Sequence, residues 1–149
     1  MRMNPQALLQ DKARWLTVLL RLEGAIEMLA FIAAVMPFRW MALTHRWLGM
    51  GELPEFPLLN YLVRSVSILY GFHGVLLWLL ATDVRRYRPL IMYATVSYLV
   101  AALAITWIDW VSSMPWWWGV GEAGSVLWLG LILLWLVWKL PIDPPSPHC

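Results

Sequence analysis

The chain has 149 residues, of which 61% are hydrophobic and 13% are charged, and its formal net charge is +2. Soluble domains carry roughly 25% charged residues, so this composition excludes a typical soluble domain and indicates a membrane protein. The small net charge gives no argument for nucleic-acid binding. The lone cysteine, Cys149, excludes an internal disulfide and a cysteine-based zinc site.

Four apolar stretches are long enough to cross a bilayer, which takes about 20 mostly apolar residues. The sequence therefore predicts an all-α polytopic membrane protein, a four-transmembrane-helix bundle that forms one membrane domain over residues 1–149. We expect spans at 16–36, 59–81, 90–111 and 122–138, an outer loop at 37–58, a cytoplasmic loop at 82–89 and a polar tail at 139–149.

Basic residues predict the orientation of the chain. With four spans, the arginines and lysines before span one, between spans two and three, and after span four fall on one side, and Arg39 and Arg46 fall on the other. The more basic side is the cytoplasmic one, so we expect both termini inside, in a prokaryotic cytoplasmic membrane. Span one is expected to be retained, because its long, charge-interrupted core does not fit a cleaved signal peptide.

The outer loop, residues 37–58, is too polar to span the membrane. Its residues Trp40, Leu43, Trp47 and Leu48 are spaced to share one face of a short helix on the membrane surface. An irregular loop with interfacial aromatic side chains fits the sequence equally well. Most of the twelve tryptophans lie near span ends, which is typical of an aromatic belt.

Charged residues interrupt the first span at Arg21, Glu23 and Glu27. A charge near the centre of a membrane helix costs roughly 2.5–3.5 kcal/mol, whereas each large aliphatic residue contributes about 0.3–0.6 kcal/mol in favour of insertion. Span one is therefore marginal alone and needs polar partners. Arg21 is close enough to the cytoplasmic end for its side chain to reach the headgroups. Glu23 and Glu27 share one helix face, which is expected to point into the bundle.

The other spans carry matching stripes of polar or small residues, as expected for helices with one face turned inward. From the depths of the ionisable residues we expect two groups. Such groups often mark ligand sites or proton paths, but they also occur as structural pairs that fix helix register, and we assign none of them a catalytic role. The outer cluster comprises Glu27, Arg64, Asp109 and Glu122, and the inner pair comprises Glu23 and His73.

The segment YLVRSVSILYGFHGVLLWLLATDVRRYRPLIMY, residues 61–93, has an arginine near the outer start of a helix, then glycines, a short basic turn ending in Arg-Pro, and a next helix. This arrangement resembles the small four-helix DoxX-like membrane proteins. The resemblance implies their fold and, because some members are linked to quinone-coupled oxidation of sulfur compounds, a lipophilic quinone near the bundle. Only His73 lies within a span, so neither haem nor a metal is expected.

The leading interpretation is a non-catalytic membrane protein that holds a lipophilic ligand or a larger partner through its polar interior. One alternative, implied by the resemblance alone, is a quinone-linked oxidoreductase subunit. The other is a proton-coupled small-solute transporter with Glu27 and His73 as relay groups. The expected partners are membrane lipids, together with a membrane-protein partner or a second copy of the chain, and no nucleic acid.

Overall fold

The structure is a computed structural model that describes residues 5–140, with side-chain surroundings described from residue 10 onward. All regular secondary structure in this range is helical, which confirms the predicted all-α class. The predicted polar tail lies outside the described residues from position 141 onward. The helices, in chain order, are α1 (Pro5–Met28), α2 (Ala30–Val35), α3 (Phe38–Trp47), α4 (Pro57–Leu80), α5 (Arg88–Val111) and α6 (Trp116–Trp138).

Three helices of the described chain, α4, α5 and α6, are long and apolar enough to cross a membrane by length and composition. They correspond to three of the four predicted spans, although α6 begins at Trp116, ahead of the predicted start at 122. Only 22%, 17% and 28% of their apolar windows, respectively, is buried within the structure. Because so many exposed side chains are apolar, these helices need an apolar environment, which indicates a membrane protein.

The first predicted span, 16–36, differs from the prediction. It is divided between α1 and α2, which meet at Leu29. Leu29 keeps helical angles (φ −61°, ψ −20°), but its N–H donates to the carbonyl of Ile26 at 3.1 Å, one residue short of the α-helical spacing. Since α1 also carries six charged residues, it does not qualify as a spanning helix by composition, and residues 5–140 contain three such helices rather than the four predicted.

The outer loop contains a helix, α3, so the helical alternative is confirmed over Phe38–Trp47. Gly49 ends it with a positive φ of 76°, and two backbone bonds close the end: Gly49 N–H to the Arg46 carbonyl at 2.9 Å, and Met50 N–H to the His45 carbonyl at 3.2 Å. This is the Schellman arrangement, in which a glycine takes the left-handed position. Leu48 lies just beyond the helix, as its C-cap.

The described chain divides into two compact units, each treated by itself. Unit 1 consists of the chain up to Val18 and from Leu80 onward, and it contains α5, α6 and the first part of α1. Unit 2 consists of Leu19–Leu79 and contains the last part of α1, then α2 and α3, and nearly all of α4.

Two glycines bring α1 and α4 together in unit 2. A Cβ placed on Gly74 would lie 2.5 Å from the Gly24 carbonyl oxygen, and one placed on Gly24 would lie 2.6 Å from the Gly74 carbonyl oxygen. Both distances are shorter than van der Waals contact, so only glycine fits at either position. Nearby, the indole N–H of Trp78 donates to the Arg21 carbonyl at 2.7 Å. Small residues at such crossings are typical of membrane helix pairs.

In unit 1, α5 packs along α6. Ile91 of α5 and Leu133 and Val137 of α6 are fully buried. A Cβ placed on Gly130 would come within 2.8 Å of the Leu99 side chain, so the two helices are closely packed at that level. This contact fixes the distance between the two helices near the C-terminal half of α6.

Candidate functional site

The Glu27 carboxylate contacts His73 in unit 2. Its Oε2 lies 2.6 Å from the ring Nδ1, which places the imidazole within hydrogen-bonding distance. The Glu27 side chain is 9% exposed and the His73 side chain is 38% exposed. The Gly24–Gly74 crossing explains the contact, because it lets the α1 and α4 backbones approach until side chains on either side of it meet.

This contact groups the acidic residues of span one differently from the prediction. The expected inner pair joined His73 to Glu23, but the carboxylate in contact with the imidazole Nδ1 is that of Glu27, one turn further along α1. Glu23 is half-buried on the same face of α1. Span boundaries predicted from sequence are uncertain by about one helical turn. Glu23 and Glu27 are also one turn apart, so the sequence could not decide which of them meets His73.

Arg64, predicted to pair with the acidic residues of the outer cluster, donates elsewhere in unit 2. Its Nη1 donates to the Ala34 carbonyl at 2.6 Å, its Nη2 to the Met36 carbonyl at 2.9 Å and its Nε to Asn60 Oδ1 at 2.8 Å. The last carbonyls of a helix have no partner within the helix. Arg64 therefore closes the C-terminal end of α2, with its positive charge at the negative end of the helix dipole.

Asp109 lies in unit 1, near the end of α5 and beside the first turns of α6. Its Oδ2 is shielded from solvent and has no hydrogen-bond partner among the described residues. A Cβ placed on Gly119 would lie 3.2 Å from this oxygen, so the glycine leaves the space that the carboxylate occupies. Buried polar atoms are nearly always paired, and an unpaired carboxylate oxygen therefore suggests a bound donor.

The same carboxylate lines a cavity of about 520 Å³ between α5 and α6, which we call the Asp109 pocket. This volume falls within the roughly 300–1,000 Å³ of small-molecule sites. Leu103, Val120 and Leu127 provide apolar walls, and the polar end lies at the turn that joins the two helices. The arrangement suits a ligand with one polar group and an apolar body.

Glycines account for the shape of the Asp109 pocket. At Gly130 the two helices are in close contact, but a Cβ placed on Gly124, which lines the pocket, would meet no atom within 4 Å. The space between α5 and α6 is thus closed at the level of Gly130 and open two turns earlier along α6. Ala102 and Ala123 also line the open part, and their small side chains enlarge it.

Glu122, the remaining member of the predicted outer cluster, does not line the Asp109 pocket. It borders a separate cavity of about 330 Å³ with Trp117, Trp118 and Gly121. The predicted residues are thus distributed over several environments within the two units. Asp109 alone among them contributes to a cavity with an unpaired polar atom.

Sequence reasoning did not identify how small residues shape both sites. Gly74 was placed on the inward-facing stripe of span two but was not paired with Gly24, and Gly119 was placed ahead of span four rather than inside its helix. The four-residue spacing of Gly119 and Ala123 was the available signal for the pocket wall. Comparisons of the chain with protein-family models, with curated proteins and with solved structures found no match.

Proposed function

We propose that this chain is a small, non-catalytic membrane protein that binds a lipophilic ligand in the Asp109 pocket. The observation that carries the proposal is the carboxylate of Asp109 at one end of an apolar cavity, with its shielded Oδ2 unpaired among the described residues. A buried carboxylate oxygen without a donor is unfavourable, whereas apolar walls favour an alkyl or ring system. A ligand with a polar group and an apolar body satisfies both requirements.

The position of Asp109 on α5 suits such a ligand. Asp109 lies near the end of a helix that is long enough to cross the membrane, so its carboxylate is expected near the bilayer boundary. Leu103 and Leu127 line the pocket about two turns further along their helices, toward the middle of each span. A lipophile would thus enter with its polar group at the boundary and its apolar body toward the hydrocarbon.

We further propose that α1 and α2 together form a fourth membrane crossing, with both termini in the prokaryotic cytoplasm. The contacts in unit 2 support this arrangement, because His73 contacts Glu27 and Arg64 closes the end of α2. Each contact lowers the cost of placing a polar group in lipid. Tags on the two termini test the topology: four crossings place them on the same side, and three crossings place them on opposite sides.

Proton-coupled transport is a second candidate, supported by the 2.6 Å contact of Glu27 with His73. An acid–imidazole pair within a span has the chemistry of a proton relay, since both groups can take up and release a proton. Purified protein in liposomes with a pH-sensitive dye inside tests it. Transport requires a proton flux that the Glu27→Gln variant abolishes, and a flux that is absent or unchanged by the substitution removes this candidate.

The binding proposal is tested by native mass spectrometry of the full chain, released gently from its own membrane. We expect a small lipophile at fixed stoichiometry in the wild type, and the mass of this ligand would identify its class, including a quinone. The Gly124→Leu variant fills the pocket and should lose the ligand. Gly121→Leu is the matched control, because a Cβ there also meets no atom within 4 Å but Gly121 does not line the Asp109 pocket.

Two results would overturn the binding proposal. One is a wild-type protein that carries no small molecule, and the other is a ligand that Gly124→Leu and Gly121→Leu retain equally. A co-released protein in place of a small molecule would instead indicate an accessory subunit.

A further inference from the structure

The chemistry of the Asp109 pocket restricts the polar group that it accepts. Of the side chains that line the pocket, only that of Asp109 carries a charge. An ionised carboxylate accepts hydrogen bonds and donates none. An anionic ligand group would be repelled, and a group that only accepts hydrogen bonds would offer the Asp109 carboxylate no donor.

A second acceptor lies on the same face of α5. Thr106 lines the pocket three residues before Asp109, which places the two side chains one above the other. The Thr106 hydroxyl donates its proton to the Ala102 carbonyl at 2.8 Å. Its oxygen lone pairs are therefore the part of this hydroxyl that a ligand can use, and they can only accept a hydrogen bond from a donor.

Two aromatic rings line the pocket, those of Trp110 at the end of α5 and Trp116 at the start of α6. The face of an indole ring attracts a cation within about 6 Å of its centroid. The pocket thus combines one negative charge, a hydroxyl acceptor and indole rings. These features all favour a positively charged donor with several N–H groups.

We propose that the Asp109 pocket recognises a primary ammonium group on an apolar body, a deduction that rests on the binding function proposed above. The ammonium has three N–H donors and one positive charge, which match the acceptors and the charge of the pocket. An alcohol supplies one donor and no charge. A quaternary ammonium supplies the charge but has no N–H for the Asp109 carboxylate.

The primary ammonium has two possible sources, a free long-chain amine or the headgroup of an aminophospholipid. The test uses the full chain in nanodiscs of phosphatidylcholine, titrated with decylamine, decyltrimethylammonium, decanol and decanoate. Binding is measured by native mass spectrometry, with empty nanodiscs as the control for partition into lipid. A second set of nanodiscs that mixes phosphatidylethanolamine with phosphatidylcholine shows whether the protein retains the aminophospholipid in preference.

The expected result is tighter binding of decylamine than of the other three probes, by about tenfold or more, as a charge-assisted hydrogen bond provides. Asp109→Asn should weaken decylamine binding by about the same factor. Glu122→Gln is the matched control, because it removes an acid of unit 1 that does not line this pocket, and it should leave binding unchanged. Preferential retention of phosphatidylethanolamine through Asp109 would identify the lipid as the source.

Equal binding of all four probes, or decylamine binding that Asp109→Asn leaves unchanged, would overturn the ammonium proposal. If Gly124→Leu still abolished binding, the proposal that the pocket binds a lipophile would be retained. Binding of none of the probes, together with no lipophile retained from the native membrane, would overturn the binding function as well. If Asp109→Asn does not fold, the relative affinities of the four probes for the wild-type protein are sufficient to test the ammonium proposal.

Discussion

Glu27 Oε2 lies 2.6 Å from His73 Nδ1, and this contact joins α1 to α4 beside the crossing of their backbones. The carboxylate is the more buried partner, since its side chain is 9% exposed against 38% for the imidazole. The pair supplies a polar partner for the acid nearest to the middle of the first predicted span. A helix whose sequence alone is marginal for insertion thereby gains a reason to pack against its neighbour.

Removing one member of this pair should destabilise the protein. We expect His73→Leu to lower the free energy of unfolding by roughly 1–3 kcal/mol, because Glu27 stays buried without its imidazole partner. Adding Glu27→Leu should restore part of that loss, since the buried acid that lost its imidazole partner is then removed as well. The free energy of unfolding in bicelles is measured for the wild type, for each single variant and for the double variant, which together form a double-mutant cycle. Additive losses would contradict a coupled pair.

The glycine crossing should tolerate no side chain. Gly74→Val places carbon atoms against the Gly24 carbonyl, and forced overpacking of this kind costs roughly 1–3 kcal/mol. Gly121→Val is the control, because a Cβ at that position meets no atom within 4 Å. Thermal unfolding should separate the two variants. Equal melting temperatures would contradict the close approach of α1 and α4.

Arg64 should stabilise the fold through carbonyl groups. Arg64→Leu removes the donors to Ala34 and Met36, and we expect a loss of roughly 1–3 kcal/mol in the free energy of unfolding. Arg64→Lys keeps the charge but not the planar fork that reaches two carbonyls, so it should recover only part of the loss. A fully stable Arg64→Leu protein would show that the end of α2 needs no such partner.

Helix α3 should lie at the membrane surface. Trp40, Leu43 and Trp47 are exposed and spaced to share one face. A spin label on Leu43→Cys should be more accessible to oxygen than to a water-soluble relaxation agent, and a label on His45→Cys, on the opposite face, should show the reverse. The native Cys149 is replaced by serine in both variants. Equal accessibility of the two labels would contradict an interfacial helix.

The sequence predicted the apolar helices well, because a long apolar run is a strong signal. Spans two and three begin and end within two residues of α4 and α5. Span four was placed too late, since PWWWGVG combines a proline, aromatic residues and glycines, which are all common in turns. In the structure Pro115 occupies the N-cap position, and α6 continues from Trp116 through both glycines.

The polar contacts were harder to predict, because they depend on the relative rotation and height of two helices. The sequence placed Glu27 and Arg64 on inward-facing stripes, but the partners of each depend on shifts of about one turn. The pocket depends on where α5 and α6 touch, at Gly130, and where they leave a gap, at Gly124. Hydrophobic periodicity shows which face of a helix is apolar, but it does not show the height of one helix against another or the place where two helices separate.

The central claim is that the Asp109 pocket holds the polar group and apolar body of one ligand. Photolabelling tests it most directly, with a long-chain probe that carries a diazirine on its chain and peptide mass spectrometry to locate the label. We expect labels concentrated on Leu103, Val120 and Leu127, removed by excess unlabelled probe and lost in Gly124→Leu. Labels spread evenly over the exposed faces of α4, α5 and α6, and insensitive to the competitor, would contradict the claim.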